Sequence, residues 1–137
     1  MKVHSTNYFD TFIEIAEDCS AIQAEIPPIK GDNKTVANLQ FDIIHKNPYK
    51  YTSDDVLFQV FAVKKEIIED ELLEAKKLFF AKGQACFMAS PLTQRYGWGL
   101  HSDAEGKIAL IGEGSIEYEK LKNTPELKIL KAMRSKR

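Results

Sequence analysis

Two short apolar runs joined by a four-residue turn constrain the fold more than any other feature of this chain. They span 97–102 and 107–111, and the connection DAEG ends in Gly106. Glycine is common where such a turn requires a left-handed backbone, so the pattern predicts a β-hairpin. Successive side chains of a strand point to opposite faces of its sheet. Trp98 and His101 are therefore expected on opposite faces.

Three further segments have the composition of β-strands. Thr11–Glu17 alternates apolar and polar side chains, the period of two that is expected of a half-buried strand. Val56–Val63 is apolar on both faces except for Gln59, which predicts a central strand covered on both sides. Gln84–Ala89 is a short apolar run and predicts one more strand.

The clearest helical pattern covers Glu66–Lys82. Acidic residues occupy its first turns and lysines its last turns, and Gly83 follows at the position of a C-terminal cap. Its apolar positions recur with the helical period, at Ile68, Leu72, Ala75 and Phe79. We expect an amphipathic surface helix whose charged residues form a solvated face and not a partner site.

Two other regions are predicted as helices on weaker patterns. Thr35–His45 fits a helix that Asn33 would cap, although its alternating apolar residues also permit a strand; helix is favoured. After Ser115, Pro125 separates two predicted helices, and Thr124 is expected to cap the second. The second helix would end in the basic tail 128–137.

Together these elements predict an α+β protein, a mixed sheet of about four or five strands with helices packed mainly on one face. A chain of 137 residues is the usual size of one domain, so residues 1–137 are expected to form a single globular domain. Hydrophobic residues at 44% and charged residues at 28% exclude a disordered scaffold.

Charge and apolar content limit the partners. A net charge of -1 gives no general attraction to nucleic acid or to an anionic membrane, and neither is expected as a partner. No apolar run approaches the ~20 residues needed to span a bilayer, and the first ten residues lack the apolar core of a signal peptide. The expected location is cytoplasmic.

The sequence contains no motif that assigns a cofactor or a metal. Phosphate-binding glycine loops, nucleophile elbows and paired histidine motifs are absent. Cys19 and Cys86 are far apart and lack the spacing of zinc ligands, so two reduced thiols are expected. Because no basic residue is close in sequence, Cys86 is interpreted as a packed thiol and not a nucleophile. No cofactor and no metal site is predicted.

The segment 90–103 concentrates the rarest side chains and is the first candidate site. Trp98, the only tryptophan, lies between two glycines, and Arg95 and Tyr96 precede it. Arg95 offers a planar donor fork for an anion, and Trp98 can form the wall of a pocket. The alternative is that Trp98 is an ordinary core aromatic.

A second candidate group is Tyr49, Lys50 and Tyr51. Two tyrosines around a lysine can hold an anionic or aromatic ligand through hydroxyl groups and charge. The alternative is that they cover the edge of the core with their hydroxyls in water. These three residues are predicted to assist Arg95, Tyr96 and Trp98 in binding.

His101 is the candidate for catalysis, because the ordinary pKa of histidine lies nearest to neutral. An acid–base enzyme would pair His101 with Asp54 or Asp10 in a cleft. Three hypotheses thus remain: a protein that binds a small anionic or aromatic ligand, which is favoured; an interaction module or homodimer without catalysis; and a small enzyme that uses His101.

Three long stretches resemble a known family. They are HSTNYFDTFIEIAEDC, PPIKGDNKTVANLQFDIIHKNPYKYTSDDVLFQVFAV and SPLTQRYGWGLHSDAEGKIAL. They are similar to domain-of-unknown-function family 6157, whose members are small microbial single-domain proteins with no known activity. The resemblance implies a free-standing domain and supplies no substrate, cofactor or catalytic residue.

Overall fold

A four-stranded mixed sheet organises the fold. The computed structural model describes residues 3–29 and 31–134. The sheet order is β3-β2-β1-β4; β2 pairs antiparallel with both β1 and β3, and β4 pairs parallel with β1. The strands are β1 Thr11–Glu14, β2 Trp98–Ser102, β3 Ile108–Gly112 and β4 Lys128–Lys131. The predicted hairpin and first strand are confirmed, the latter ending at Glu14.

Five α-helices accompany the sheet in the described part of the chain: α1 Val36–Lys46, α2 Ser53–Lys64, α3 Leu72–Phe80, α4 Pro91–Gln94 and α5 Ile116–Lys122. Helices α1, α2 and α4 cover one face, and α5 covers the other. The predicted α+β class is therefore confirmed. No helix among the described residues is both long enough and apolar enough to cross a bilayer.

Capping boxes fix the starts of α1 and α2. Thr35 accepts a hydrogen bond from the backbone of Asn38, and the Asn38 side chain accepts one from the backbone of Thr35. Thr52 and Asp55 form the same reciprocal pair before α2. Each pair satisfies donors that a helix start leaves free. Helix was the right choice for 35–45, although Thr35 and not Asn33 is its cap.

The predicted central strand Val56–Val63 is wrong, because this segment lies in α2. Val56 and Val60 face the core, while Phe58 and Phe61 pack with Phe79 of α3. A helix that is covered on several sides is apolar on several sides. Periodicity alone could not separate it from a doubly covered strand.

Three other predicted elements differ from the structure. Gln84–Ala89 forms no strand and ends in a 3-10 turn at Phe87–Ala89. Glu66 has a φ of 52°, so the helix predicted from Glu66 begins only after a 3-10 turn at Glu69–Glu71. The predicted second C-terminal helix is instead β4, because Ile129 and Leu130 pair alongside the buried strand β1. Residues 135–137 of the basic tail lie outside the described residues.

Helix α5 is attached to the sheet through Tyr118. Its ring meets the Phe12 ring edge to face with centroids 5.0 Å apart, and its hydroxyl accepts a hydrogen bond from the Ile15 backbone at 2.9 Å. Burial raises the pKa of Tyr118 far above its ordinary value, so the hydroxyl stays protonated. Gly99 makes room for this pair, because a Cβ there would lie 2.8 Å from Phe12 and 2.9 Å from Tyr118.

We expect Gly99→Ala to lower the free energy of unfolding by about 1–3 kcal/mol, the usual cost of overpacking a core. Urea unfolding of the wild type and the variant measures this change. Gly83→Ala is the matched control, because its Cβ would meet only the His4 ring, at 3.8 Å. Equal losses in the two variants would contradict the proposed close contact.

Candidate functional site

Trp98 is half-buried and its polar atom is occupied. Its ring packs against Phe41 of α1 with centroids 5.4 Å apart, and its indole nitrogen donates to the carbonyl of Glu25 at 2.8 Å. The Glu25 backbone in turn donates to the carbonyl of Tyr96 at 2.8 Å. Because indole has a single donor and no acceptor, Trp98 offers a ligand only its ring.

The glycine before Trp98 serves this packing. Gly97 has a φ of 78°, and a Cβ there would lie 3.1 Å from the carbonyl oxygen of Gln23 and 3.2 Å from Ala24. The segment 21–25 thus lies directly against the main chain beside β2. Tyr96 packs with Trp98 against the Phe41 and Leu92 cluster, whereas Arg95 is exposed.

Two predicted site residues that are far apart in sequence meet on one face of the sheet. The Tyr49 hydroxyl lies 2.8 Å from Nδ1 of His101, and the two rings are edge to face. Tyr49 reaches this position because its backbone donates to the carbonyl of Ile108 in β3. Its φ of 58° is uncommon for a residue with a side chain.

The His101 environment differs from the predicted pairing with a carboxylate. Burial lowers the pKa of His101, and the nearby charges of Asp103 and Asp10 act in the opposite direction. Asp54 is engaged elsewhere, since its carboxylate accepts three hydrogen bonds from Ser5 and Thr6 at 2.7–2.8 Å. The direct partner of His101 is a phenol hydroxyl.

The residues predicted to bind together fall into separate places. Trp98 packs on the face covered by α1, and His101 lies on the opposite face, which confirms the predicted alternation. Tyr51 packs against the main core, and the Lys50 ammonium lies 5.2 Å from the centre of its ring. Trp98 and Tyr51 therefore pack in different apolar clusters, and joint binding by the two groups stays a prediction.

The structure contains a groove that the sequence did not indicate. It lies between α1, α2 and the segment 84–91, and its volume is about 500 Å³. Its apolar lining comes mainly from Val36, Leu57, Val60, Phe61, Phe79 and Ala89. Its polar lining comes from Gln40, Lys64, Lys65, Gln84, Cys86 and Ser90.

Gln40 is the polar group that the groove holds most firmly. Its side-chain oxygen accepts a hydrogen bond from the Ser90 hydroxyl at 2.6 Å, and both residues are only 4% exposed. The Ser90 hydroxyl also accepts from the Leu92 backbone, which fixes it as the cap of α4. The serine proton is thereby directed at the Gln40 oxygen, which turns the amide nitrogen away from Ser90.

Gln40 lines the groove, and its amide nitrogen is the remaining donor of the side chain. No hydrogen bond among the described residues uses it. Every fully buried side-chain nitrogen and oxygen in the described part of the chain has a partner, so this nitrogen is accessible to the groove and not sealed in the core. It is a donor placed in an apolar environment, where a hydrogen bond is strong.

Cys86 lies in the same groove wall. Its sulfur is 3.7 Å from the Tyr8 hydroxyl, which also lies 3.5 Å from the Met88 sulfur. Burial raises the pKa of Tyr8. Cys86 is free and half-buried, an arrangement compatible with the packed thiol predicted from the sequence.

One sequence signal could have located this groove. Gln40 is a polar residue among the apolar positions that α1 turns inward, which are Ala37, Phe41 and Ile44. A buried amide needs partners, and Ser90 at the cap before Pro91 is a candidate. Pairing the two from sequence alone requires the distance between segments 50 residues apart, which periodicity does not supply.

The comparisons with known proteins agree with the resemblance found in the sequence. The model of a family described as a family of unknown function, DUF6157, matches residues 3–137. The chain therefore belongs to this family. No curated protein and no solved structure matches the chain significantly.

We expect His101 to make the free energy of unfolding dependent on pH. Because its pKa in the folded state is below the ordinary 6.5, the unfolded chain binds this proton more readily. The contribution of His101 to the free energy of unfolding is present above pH 6.5. It should decrease as the pH falls from 6.5 to the lower pKa that His101 has in the folded state. Imidazole proton resonances measured against pH give the folded pKa directly.

His101→Gln is the control for this dependence, because it removes the titrating group and should flatten the stability profile across that window. The comparison uses urea unfolding of both proteins at a series of pH values. A folded pKa at or above 6.5, or an unchanged profile in His101→Gln, would contradict the expectation.

Proposed function

We propose that this member of a family of unknown function binds a small ligand with an apolar or aromatic body and an anionic end. The site is the groove between α1, α2 and the segment 84–91. The observation that carries the proposal is the buried Gln40 side chain, whose free N–H faces an apolar groove. A donor held in this way fixes the orientation of a ligand that offers an acceptor.

The size and lining of the groove support a small-molecule site. A volume of about 500 Å³ lies within the roughly 300–1,000 Å³ of known ligand pockets. Such pockets are mainly apolar with a few fixed polar groups, and this groove combines valine and phenylalanine walls with Gln40 and Ser90.

Two lysines that line the groove support the proposal that the ligand has an anionic end. Lys64 and Lys65 both line the groove, and neither forms an ion pair with another described residue. The Lys64 ammonium also donates to the Lys34 carbonyl at 3.2 Å. A carboxylate, sulfonate or phosphate bound there would be attracted by the positive charges of Lys64 and Lys65.

The groove is preferred to the segment around Arg95. The donor of Trp98 is occupied by Glu25, and Tyr96 is part of the packing around Phe41. Arg95 is exposed and is not among the residues that line the groove. The proposed ligand is therefore of the class expected from the sequence, but the proposed site is the groove and not the segment around Arg95.

Decanoate and decan-1-ol are suitable probes, because they share an apolar chain and differ in charge. We expect the wild type to bind decanoate more tightly than decan-1-ol, as measured by isothermal titration and thermal shift. At a hundredfold the dissociation constant, a ligand stabilises the folded state by about 2.7 kcal/mol. Lys64→Gln and Lys65→Gln should each weaken decanoate binding by about tenfold, which corresponds to ~1.4 kcal/mol, and leave decan-1-ol unchanged.

Ala85→Trp tests the location. Ala85 is an exposed residue of the groove wall, so a large ring there should block the groove without disturbing the core. Ala104→Trp places the same ring in the exposed β2–β3 turn and is the matched control. Binding that survives Ala85→Trp but is lost in Arg95→Ala would move the site to Arg95, and no binding by the wild type would contradict the ligand class.

A further inference from the structure

The outward side of α3 exposes large apolar side chains. Leu73 is 77% exposed and Leu78 is 61% exposed, and both line a shallow depression of about 570 Å³ together with Val3. The opposite side of α3 is anchored, since Phe79 packs on Phe58 and Phe61 of α2. The helix is thus held firmly while two leucines face away from the protein.

Charges along this segment are divided by sign. The first half carries Glu69, Asp70, Glu71 and Glu74, and the second half carries Lys76, Lys77 and Lys82. All seven are exposed. Among the described residues, none of them takes part in an ion pair.

This order of residues is self-complementary in an antiparallel register. Consider a second copy of α3 that runs in the opposite direction, with the twofold axis passing between Ala75 and Lys76. Position 73 of one copy is then level with position 78 of the other, and position 74 is level with position 77. Glu74 then meets Lys77 at the centre, twice by symmetry, and the leucines lie level with one another on the flanks. Residues 73 and 77, 74 and 77, and 74 and 78 are three or four positions apart, so all four lie on the outward side of the helix, with 74 and 77 at its centre and the two leucines at its flanks.

We propose that α3 is a homodimer interface, in which two copies of this chain pair antiparallel across a twofold axis. A twofold interface uses the same patch on both subunits and must complement itself. Glu74 of each subunit contacts Lys77 of the partner subunit at the centre of the interface, and Leu73 and Leu78 lie on its two flanks, where the partner subunit covers them. A partner with a single sign of charge would match only half of the segment, whereas a second copy matches both halves.

This assignment departs from the solvated face expected from sequence. The period of the helix correctly identified the inward residues Leu72, Ala75 and Phe79, which are half-buried, but Ile68 precedes the helix and is exposed. It did not account for Leu73 and Leu78 on the outer side. The dimer does not depend on ligand binding in the groove.

Sedimentation over a wide range of protein concentration tests the proposal. The wild type should dimerise, and Glu74→Lys or Lys77→Glu should each weaken dimerisation about tenfold or more, because like charges then face one another. The double variant Glu74→Lys with Lys77→Glu should recover the dimer. An equimolar mixture of the two single variants should also dimerise, because each supplies the charges that the other lacks.

Leu73→Ser tests the apolar contact and should also favour the monomer. Ile116→Ser is its matched control, since Ile116 is 87% exposed on α5 and should leave the dimer unchanged. Thermal unfolding of each variant verifies that it is folded. A monomeric wild type, or a dimer that withstands both single charge reversals, would overturn the proposal.

Discussion

The pairing of β1 with its two neighbours is the constraint on which the rest of the structure depends. β1 has only four residues, and Thr11, Phe12 and Ile13 are at most 1% exposed. It pairs antiparallel with β2 and parallel with β4, so the first and last strands of the described chain lie side by side. One short buried strand thereby joins the hairpin to the C-terminal segment.

The two faces of β1 determine what each side of the sheet can hold. Ile13 packs against Ile44 and Val56, which places α1 and α2 beside one another over one face. Phe12 packs against Tyr118, which leaves the other face to α5. The groove between α1, α2 and the segment 84–91 belongs to the first arrangement, because α1 and α2 form two of its walls, and the Tyr49–His101 pair belongs to the second.

Sequence patterns were reliable where one local signal dominated. The hairpin at 97–112 combines alternation with a glycine turn, and the inward residues of α3 follow a clear period. The patterns failed where tertiary contacts decided the structure. Val56–Val63 is apolar all round because the core lies on one side and aromatic rings on another, and the tail strand β4 is defined by its pairing with β1.

The candidate site was only partly predictable, because tertiary contacts decide which of its side chains meet. Trp98 was singled out because it is the only tryptophan. The hydrogen bond from its indole nitrogen to the carbonyl of Glu25 could not be predicted, because it depends on where the segment 21–25 lies in the folded chain. The hydrogen bond between Tyr49 and His101 joins two residues that were singled out for different roles. Gln40 and Ser90 were not singled out, since only the folded chain brings their side chains together.

The proposed groove and the proposed dimer interface share one support. Phe79 lines the groove and also anchors α3 to Phe58 and Phe61, whereas Leu73 and Leu78 occupy the outer side of the same helix. A change within the aromatic cluster would disturb both surfaces, because it would displace the helix itself. Exposed residues such as Ala85 and Lys77 each belong to one surface only, so substitutions there test the proposed ligand binding and the proposed self-association separately.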